Sequence, residues 1–132
     1  MINFDKSMQV GVKLIDEQHR ELISRLNAFV QGGVSSYTKD ETERMLDSLG
    51  SYINKHFTDE KKLHADSNYP EAGSHKELHK IYVNEFNELR DEYRKNGVSA
   101  KFTLKLTNSL IGWIVKHIKS ADMKFGKFKN GG

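Results

Sequence analysis

Residues 56–79 read HFTDEKKLHADSNYPEAGSHKELH, and this stretch decides the fold because it holds four of the chain's six histidines. His56 and Glu60 are four residues apart, as are His75 and His79. Four residues span about one turn of an α-helix, so each pair projects from a single helix face. The two pairs therefore have the spacing needed to bind one metal centre from two helices.

Apolar residues at helical spacing flank both pairs and predict that the pairs face a protein core. They are Met45, Leu49, Tyr52 and Ile53 before the first pair, and Leu78, Tyr82, Phe86, Leu89 and Tyr93 around the second. An unpaired charge in a core is strongly penalised, so a buried Glu60 needs a partner. A cation held between the helices supplies that partner.

The composition is that of one domain over residues 1–132, with 36% hydrophobic residues, 30% charged residues and a single proline. No apolar run approaches the ~20 residues of a membrane span and no signal peptide is recognisable, so we expect a soluble, cytoplasmic chain. The chain has no cysteine, so nitrogen and oxygen must bind any metal. The net charge is +3, and lysines gather late in the chain. They predict a solvated face and a short basic C-terminal tail rather than a nucleic-acid partner.

Four amphipathic segments predict an all-α fold, an up-down-up-down antiparallel four-helix bundle. Residues 1–15 lack a sustained helical period and predict an extended N-terminal arm, with the bundle over about 16–125. Asp16 is the predicted N-cap of the first helix, which ends at Gly32 and Gly33. A capping box from Thr38 to Glu41 opens the second helix.

The second helix is predicted to run to about Asp66. The third begins at either Pro70 or Ser74, two starts that the sequence does not separate, and ends with Asn96 and Gly97. The fourth begins within residues 99–102.

The first and fourth helices each place one more histidine in an apolar stripe. His19 lies among Leu22, Ile23, Leu26 and Phe29, and His117 follows Leu106, Leu110, Trp113 and Ile114. Asp122 comes five residues after His117, about 140° round a regular helix. It therefore needs a loosened or overwound turn, or a long reach, to join the same face.

Five histidines and two carboxylates are too many for one zinc ion and match two octahedral irons, so we predict a dinuclear site. The joint pattern of GVxxIDxQHxxL, HFxxE, YPxxxxHxxxH and WxxxHxxxxD resembles the hemerythrin family, and more closely its bacterial single-domain members. The resemblance extends from about Phe4 to Asp122.

The resemblance implies two irons bridged by an oxo or hydroxo group and by two carboxylates. The implied ligands are His75, His79 and His117 on one iron, His19 and His56 on the other, and Glu60 and Asp122 between them. The iron with fewer histidines keeps an open position for dioxygen, and Trp113 and Ile114 match the residues beside the family's dioxygen pocket. The implied function is reversible dioxygen binding for storage, delivery or sensing.

His64 departs from the family pattern, which usually has another acid and then a methionine or similar residue where this chain has Lys61 and His64. His56, Glu60 and His64 form one line along the helix. Three roles stay open for His64: an iron ligand, a neighbour of the ligands that relays protons or lines the pocket, and a solvent-facing side chain.

A coordinating or proton-delivering His64 favours the alternative function, a diiron enzyme that reduces peroxide, dioxygen or nitric oxide. That alternative leaves a redox partner open, and the sequence does not determine the oligomeric state.

Overall fold

Four helices dominate the computed structural model, which describes residues 4–31 and 36–131 and has no β-strand within those ranges. Helix α1 covers Lys13–Gln31, α2 covers Lys39–Asp66 and α3 covers Ala72–Asn96. The fourth helix, α4, is continuous over 100–129 and changes its winding four times. Its segments are α-helical Ala100–Lys105, π-helical Leu106–Gly112, α-helical Trp113–His117, π-helical Ile118–Asp122 and α-helical Met123–Lys129.

Each helix packs against the next, and the connections 67–71 and 97–99 are short, as in the predicted bundle. The predicted apolar stripes form the core, in which Leu22, Leu26 and Leu110 are almost completely buried. Leu78 is an exception, since 36% of it is exposed. It lies about 100° round α3 from the inward-facing His79, so its predicted place in the core was wrong.

Residues predicted to cap helices do so at the start of α2, the end of α3 and the start of α4. The Thr38 hydroxyl accepts from the backbone N–H of Glu41, whose carboxylate accepts from the N–H of Thr38 in return, which confirms the capping box. Gly97 follows α3 with φ +66°, a left-handed conformation that favours glycine. Ser99 accepts from the N–H of Phe102 and starts α4 within the predicted range.

Two predicted helix starts differ from the structure. Helix α1 begins at Lys13, so Asp16 is not its N-cap. Its carboxylate instead accepts from the backbone N–H groups of Val10 and Gly11, at 2.7 and 3.2 Å, and fastens the preceding segment to the helix. Helix α3 begins at Ala72, between the two starts left open. The predicted end of α1 at Gly32 and Gly33 lies outside the described residues.

The predicted arm and tail are both more ordered than expected. Residues 4–12 precede α1 and contain a 3₁₀ turn, Lys6–Met8, with Met8 and Val10 buried. The segment after about residue 125, predicted as a short basic tail, is helical to Lys129, and Phe125 just before it is completely buried. Apolar contact with the bundle thus outweighs the repulsion among the late lysines.

None of the helices in the described part of the chain has the length and apolar character needed to cross a lipid bilayer.

Gly126 lets the end of α4 touch the N-terminal segment. A Cβ at this position would lie 1.9 Å from the backbone carbonyl oxygen of Val10, and backbone cannot swing aside as a flexible side chain can. We therefore expect Gly126→Ala to lower the free energy of unfolding by about 2–3 kcal/mol, measured by urea denaturation.

Gly73→Ala is the matched control, because a Cβ at this exposed helical glycine meets no atom within 4 Å. It should leave stability unchanged or raise it by up to about 1 kcal/mol. Equal effects of the two substitutions would contradict the tight contact at Gly126.

Candidate metal centre

Each of the helices α1 to α4 contributes imidazole or carboxylate groups to one buried cluster. None of these residues is more than 7% exposed. They are His19 from α1, His56 and Glu60 from α2, His75 and His79 from α3, and His117 and Asp122 from α4. Burying so many ionisable groups is costly unless they are partnered.

The cluster consists of two overlapping groups, and within each group the candidate ligand atoms all lie within 4.8 Å of one another. The first group is Glu60, His75, His79, His117 and Asp122, and the second is His19, His56, Glu60 and Asp122. Both carboxylates belong to both groups. The structure therefore brings together the seven residues that the family resemblance implied as ligands, with three histidines on one side and two on the other.

Glu60 directs one carboxylate oxygen toward each group. Its Oε1 lies 2.9 Å from Nε2 of both His75 and His79, whereas its Oε2 is 4.0 Å from Nε2 of His56. A carboxylate placed in this way can donate one oxygen to each of two cations.

Asp122 has the same arrangement on the opposite side of the cluster. Its Oδ1 lies 2.8 Å from Nε2 of His75 and 3.1 Å from Nε2 of His117, and its Oδ2 lies 2.9 Å from Nε2 of His19. The two carboxylates thus link the same two sets of histidines.

Nε2 of His75 and Nε2 of His117 lie within hydrogen-bond distance at 3.0 Å, but the contacts between imidazoles and carboxylates lack the alignment of hydrogen bonds. Among the described residues, both oxygens of Glu60 and of Asp122 are buried without a hydrogen-bond partner, as are Nε2 of His19, His56 and His79. Natural proteins rarely leave buried polar atoms unsatisfied. Lone pairs that converge in this way fit a bound cation, and a set of imidazole and carboxylate donors suits iron.

Asp122 reaches the cluster because α4 loosens just before it. Residues Ile118–Asp122 form a π-helical turn, in which hydrogen bonds join residues five apart instead of four. His117 and Asp122 are five residues apart, and the turn brings both onto the face that contacts the cluster. The sequence left open a loosened turn, an overwound turn and a long reach, and the structure contains the loosened turn.

Gln18 and Asp59 hold His56 in position, and the sequence analysis missed both. The Oε1 atom of Gln18 accepts from Nδ1 of His56 at 2.7 Å, and the Gln18 amide donates to Asp59 at 2.7 Å. Because an amide oxygen only accepts, the proton of His56 is on Nδ1 and Nε2 keeps its lone pair for the cluster. The sequence could have indicated the role of Gln18, because this polar residue lies between Ile15 and Leu22 in the apolar stripe of the first helix.

Aromatic rings hold two other histidines. Phe57 stacks on His79 with ring centroids 3.8 Å apart, and Trp113 stacks on His117 at 4.5 Å. Trp113 also stacks on the fully buried Tyr82. These contacts fix the planes of the imidazole rings and keep water away from them.

His64 lies beside the cluster but outside both groups of ligand atoms. Only 3% of it is exposed, and its ring centroid lies 4.5 Å from that of His75 and 4.3 Å from that of Phe125. The solvent-facing alternative was wrong, because Tyr69 and Phe125 cover the ring. The structure therefore leaves the two inward-facing roles.

The carboxylates carry the negative charge of the cluster. Burial would raise the pKa of Asp122, but the surrounding imidazoles, His117 first, hold it well below its usual value. Burial and the Asp122 carboxylate raise the pKa of Glu60, yet the imidazoles of His75 and His79 outweigh them and lower it. Burial lowers the pKa of His75, but Asp122 and Glu60 outweigh burial and raise that pKa to about 9.

The similarity of this chain to known proteins supports a cation-binding role for the cluster. Residues 10–128 match the family described as the hemerythrin HHE cation binding domain. The chain is 30% identical over 123 residues to a hemerythrin-like protein of Naegleria fowleri, covering 93% of this chain and 89% of that one. It is 26% identical over 122 residues to a myohemerythrin of Theromyzon tessulatum, covering 92% and 88%. It is 23% identical over 125 residues to a bacteriohemerythrin of Stenotrophomonas maltophilia, covering 95% and 79%.

The raised pKa of His75 predicts how the metal-free protein responds to pH. In the folded chain His75 keeps its proton up to pH about 9, whereas the ordinary pKa of histidine is 6.5. Its contribution to stability is therefore fully present below pH 6.5 and is lost as the pH rises through 9. We expect the free energy of unfolding to fall by about 2–3 kcal/mol over this window, measured by urea denaturation at each pH.

His75→Gln is the control, because it removes the titrating group and should flatten this part of the profile. An unchanged pH dependence in the variant would show that another group is responsible.

Proposed function

The chain belongs to the hemerythrin family, and from this we propose that it is a non-heme diiron protein that binds dioxygen reversibly. The observation that carries the proposal is the pair of buried carboxylates shared between two groups of histidines. A single metal ion would need neither the second group nor two carboxylates that each face both ways.

We assign His75, His79 and His117 to one iron, His19 and His56 to the other, and Glu60 and Asp122 to both. The first group offers five residues and the second offers four. The iron of the second group therefore has one protein ligand fewer, which leaves it a position for dioxygen.

When bound, the iron pair supplies the electrons that hold dioxygen, and the protein controls water and protons around it. Mostly neutral imidazole ligands donate less charge than the carboxylate-rich sites of ferritin-like bundles. Ile114 is fully buried, and with Trp113 it is our proposed wall of the dioxygen pocket. An apolar wall excludes the water and protons that promote oxidation of the site.

A second candidate, a diiron enzyme that reduces peroxide, dioxygen or nitric oxide, is favoured by one observation. The His64 ring lies against His75, and its Nε2 is buried without a hydrogen-bond partner in the described chain. Burial, however, lowers the pKa of His64 to about 4, so the ring is neutral at pH 7 and has no readily released proton. This supports reversible binding over proton-assisted reduction.

The function is tested by loading the protein with Fe(II) without oxygen, counting iron per chain, and recording optical spectra through repeated addition and removal of dioxygen. Two irons and an absorption band that returns in every cycle are expected. A single irreversible change would instead support the enzyme.

Removing a shared carboxylate should remove metal. We expect Glu60→Ala to bind at most about one iron per chain after the same loading, because each iron loses a ligand. Glu77→Ala, on an exposed part of α3, is the control and should keep the wild-type iron content. Retention of two irons in Glu60→Ala would show that our ligand assignment is incorrect.

The role of His64 is tested by His64→Met, which keeps a buried side chain of similar size without a basic nitrogen. We expect the rate at which the dioxygen-loaded protein oxidises to change by less than about threefold, because the neutral ring delivers no proton. Oxidation slowed by tenfold or more would establish a proton relay and favour the enzyme.

A further inference from the structure

A groove of about 500 Å³ opens between α2 and α3 and extends to His79. Small residues create it where the two helices approach the connection between them. Ala65 lies on the α2 side, and Ala72 and Gly73 lie on the α3 side. A Cβ placed on Gly73 meets no atom within 4 Å, so this part of the groove is open space.

The inner surface of the groove is largely apolar. Phe57 and Val83 line it, together with the buried His64 and His79. The Phe57 ring lies flat on the His79 imidazole, so a hydrocarbon ring lines the groove beside the one cluster residue that the groove reaches. A volume and lining of this kind are typical of sites for small organic molecules.

The rim of the groove is positively charged. Lys61 on α2 and Lys76 and Lys80 on α3 line it, and none of the described lining residues carries a carboxylate. Lys80 pairs with Glu77 at 3.3 Å. Lys61 and Lys76, on opposite walls, have no ion pair or hydrogen bond to another described side chain. Two exposed lysines that line the same groove favour an anion there.

We propose that this groove binds a small amphipathic carboxylate of the medium-chain fatty acid class. The hydrocarbon chain lies against Phe57 and Val83, and the carboxylate lies between Lys61 and Lys76. An apolar lining alone would suit a neutral molecule, and lysines alone would suit inorganic phosphate. Only a molecule with an apolar body and one anionic end matches both features. The proposal does not depend on dioxygen binding, since neither lysine belongs to the metal cluster.

The proposal is tested by isothermal titration of the iron-loaded protein with octanoate, 1-octanol and inorganic phosphate. We expect octanoate to bind at least about tenfold more tightly than the other two. Equal affinity for octanol, or tighter binding of phosphate, would overturn the assignment of a carboxylate.

Two variants show whether the groove is the site. The double variant Lys61→Gln, Lys76→Gln should weaken octanoate by about tenfold and leave octanol unchanged. The double variant Lys116→Gln, Lys127→Gln makes the same change of charge on exposed positions of α4 and should have no effect. Octanoate bound directly to iron would be insensitive to all of these lysines, and that result would overturn the proposal.

Filling the groove is an independent check. Gly73→Leu places a side chain in the open space and should weaken both octanoate and octanol by at least about tenfold. Its iron content and helical circular dichroism should equal those of the wild type, which shows that the bundle is intact. Unchanged octanoate affinity in this folded variant would place the ligand elsewhere and overturn the proposal.

Discussion

The structure depends on two buried carboxylates that have no hydrogen-bond donors of their own among the described residues. Glu60 and Asp122 are fully buried, and their oxygens face only imidazole nitrogens. Negative charge in such a place is stable only beside a cation, so the centre of the bundle requires metal ions or protons. The two carboxylates also act on the imidazole beside them: Asp122 and Glu60 outweigh the effect of burial and raise the pKa of His75 to about 9.

The need to place Asp122 determines the shape of the last helix. A regular α-helix would turn Asp122 away from His117, and the π-helical turn Ile118–Asp122 corrects this. Beyond this turn the same helix packs Phe125 against His64 and brings Gly126 to the backbone of Val10. The last two turns of α4 thus connect the metal cluster, His64 and the N-terminal segment.

Sequence reasoning predicted the bundle and the cluster because both depend on spacing along single helices. Histidines and carboxylates four residues apart lie on one face of a helix, and the apolar stripe around them indicates that this face points into the core. Sequence reasoning failed where contacts between segments far apart in the chain determine the local structure. The start of α1 depends on Asp16 accepting from Val10, and the order of the C-terminus depends on a contact with the opposite end of the chain. The sequence shows that Gln18 lies in an apolar stripe. Its hydrogen bond to His56 could not be predicted, because that bond depends on how α1 packs against α2.

The two sides of the cluster orient their histidines by different means. His56, in the group with two histidines, donates to the neutral amide of Gln18, whereas His79 and His117 are held by stacked rings. In many metal sites the outer nitrogen of a histidine donates to a carboxylate, which increases the basicity of the ligand. An amide oxygen adds far less negative charge, so in the ligand set that we propose His56 donates weakly, on the side where dioxygen is proposed to bind. A weakly donating His56, a neutral His64 and an apolar surround support our proposal of reversible binding over reduction of dioxygen. The residues around the ligands therefore favour the same function as the ligands do.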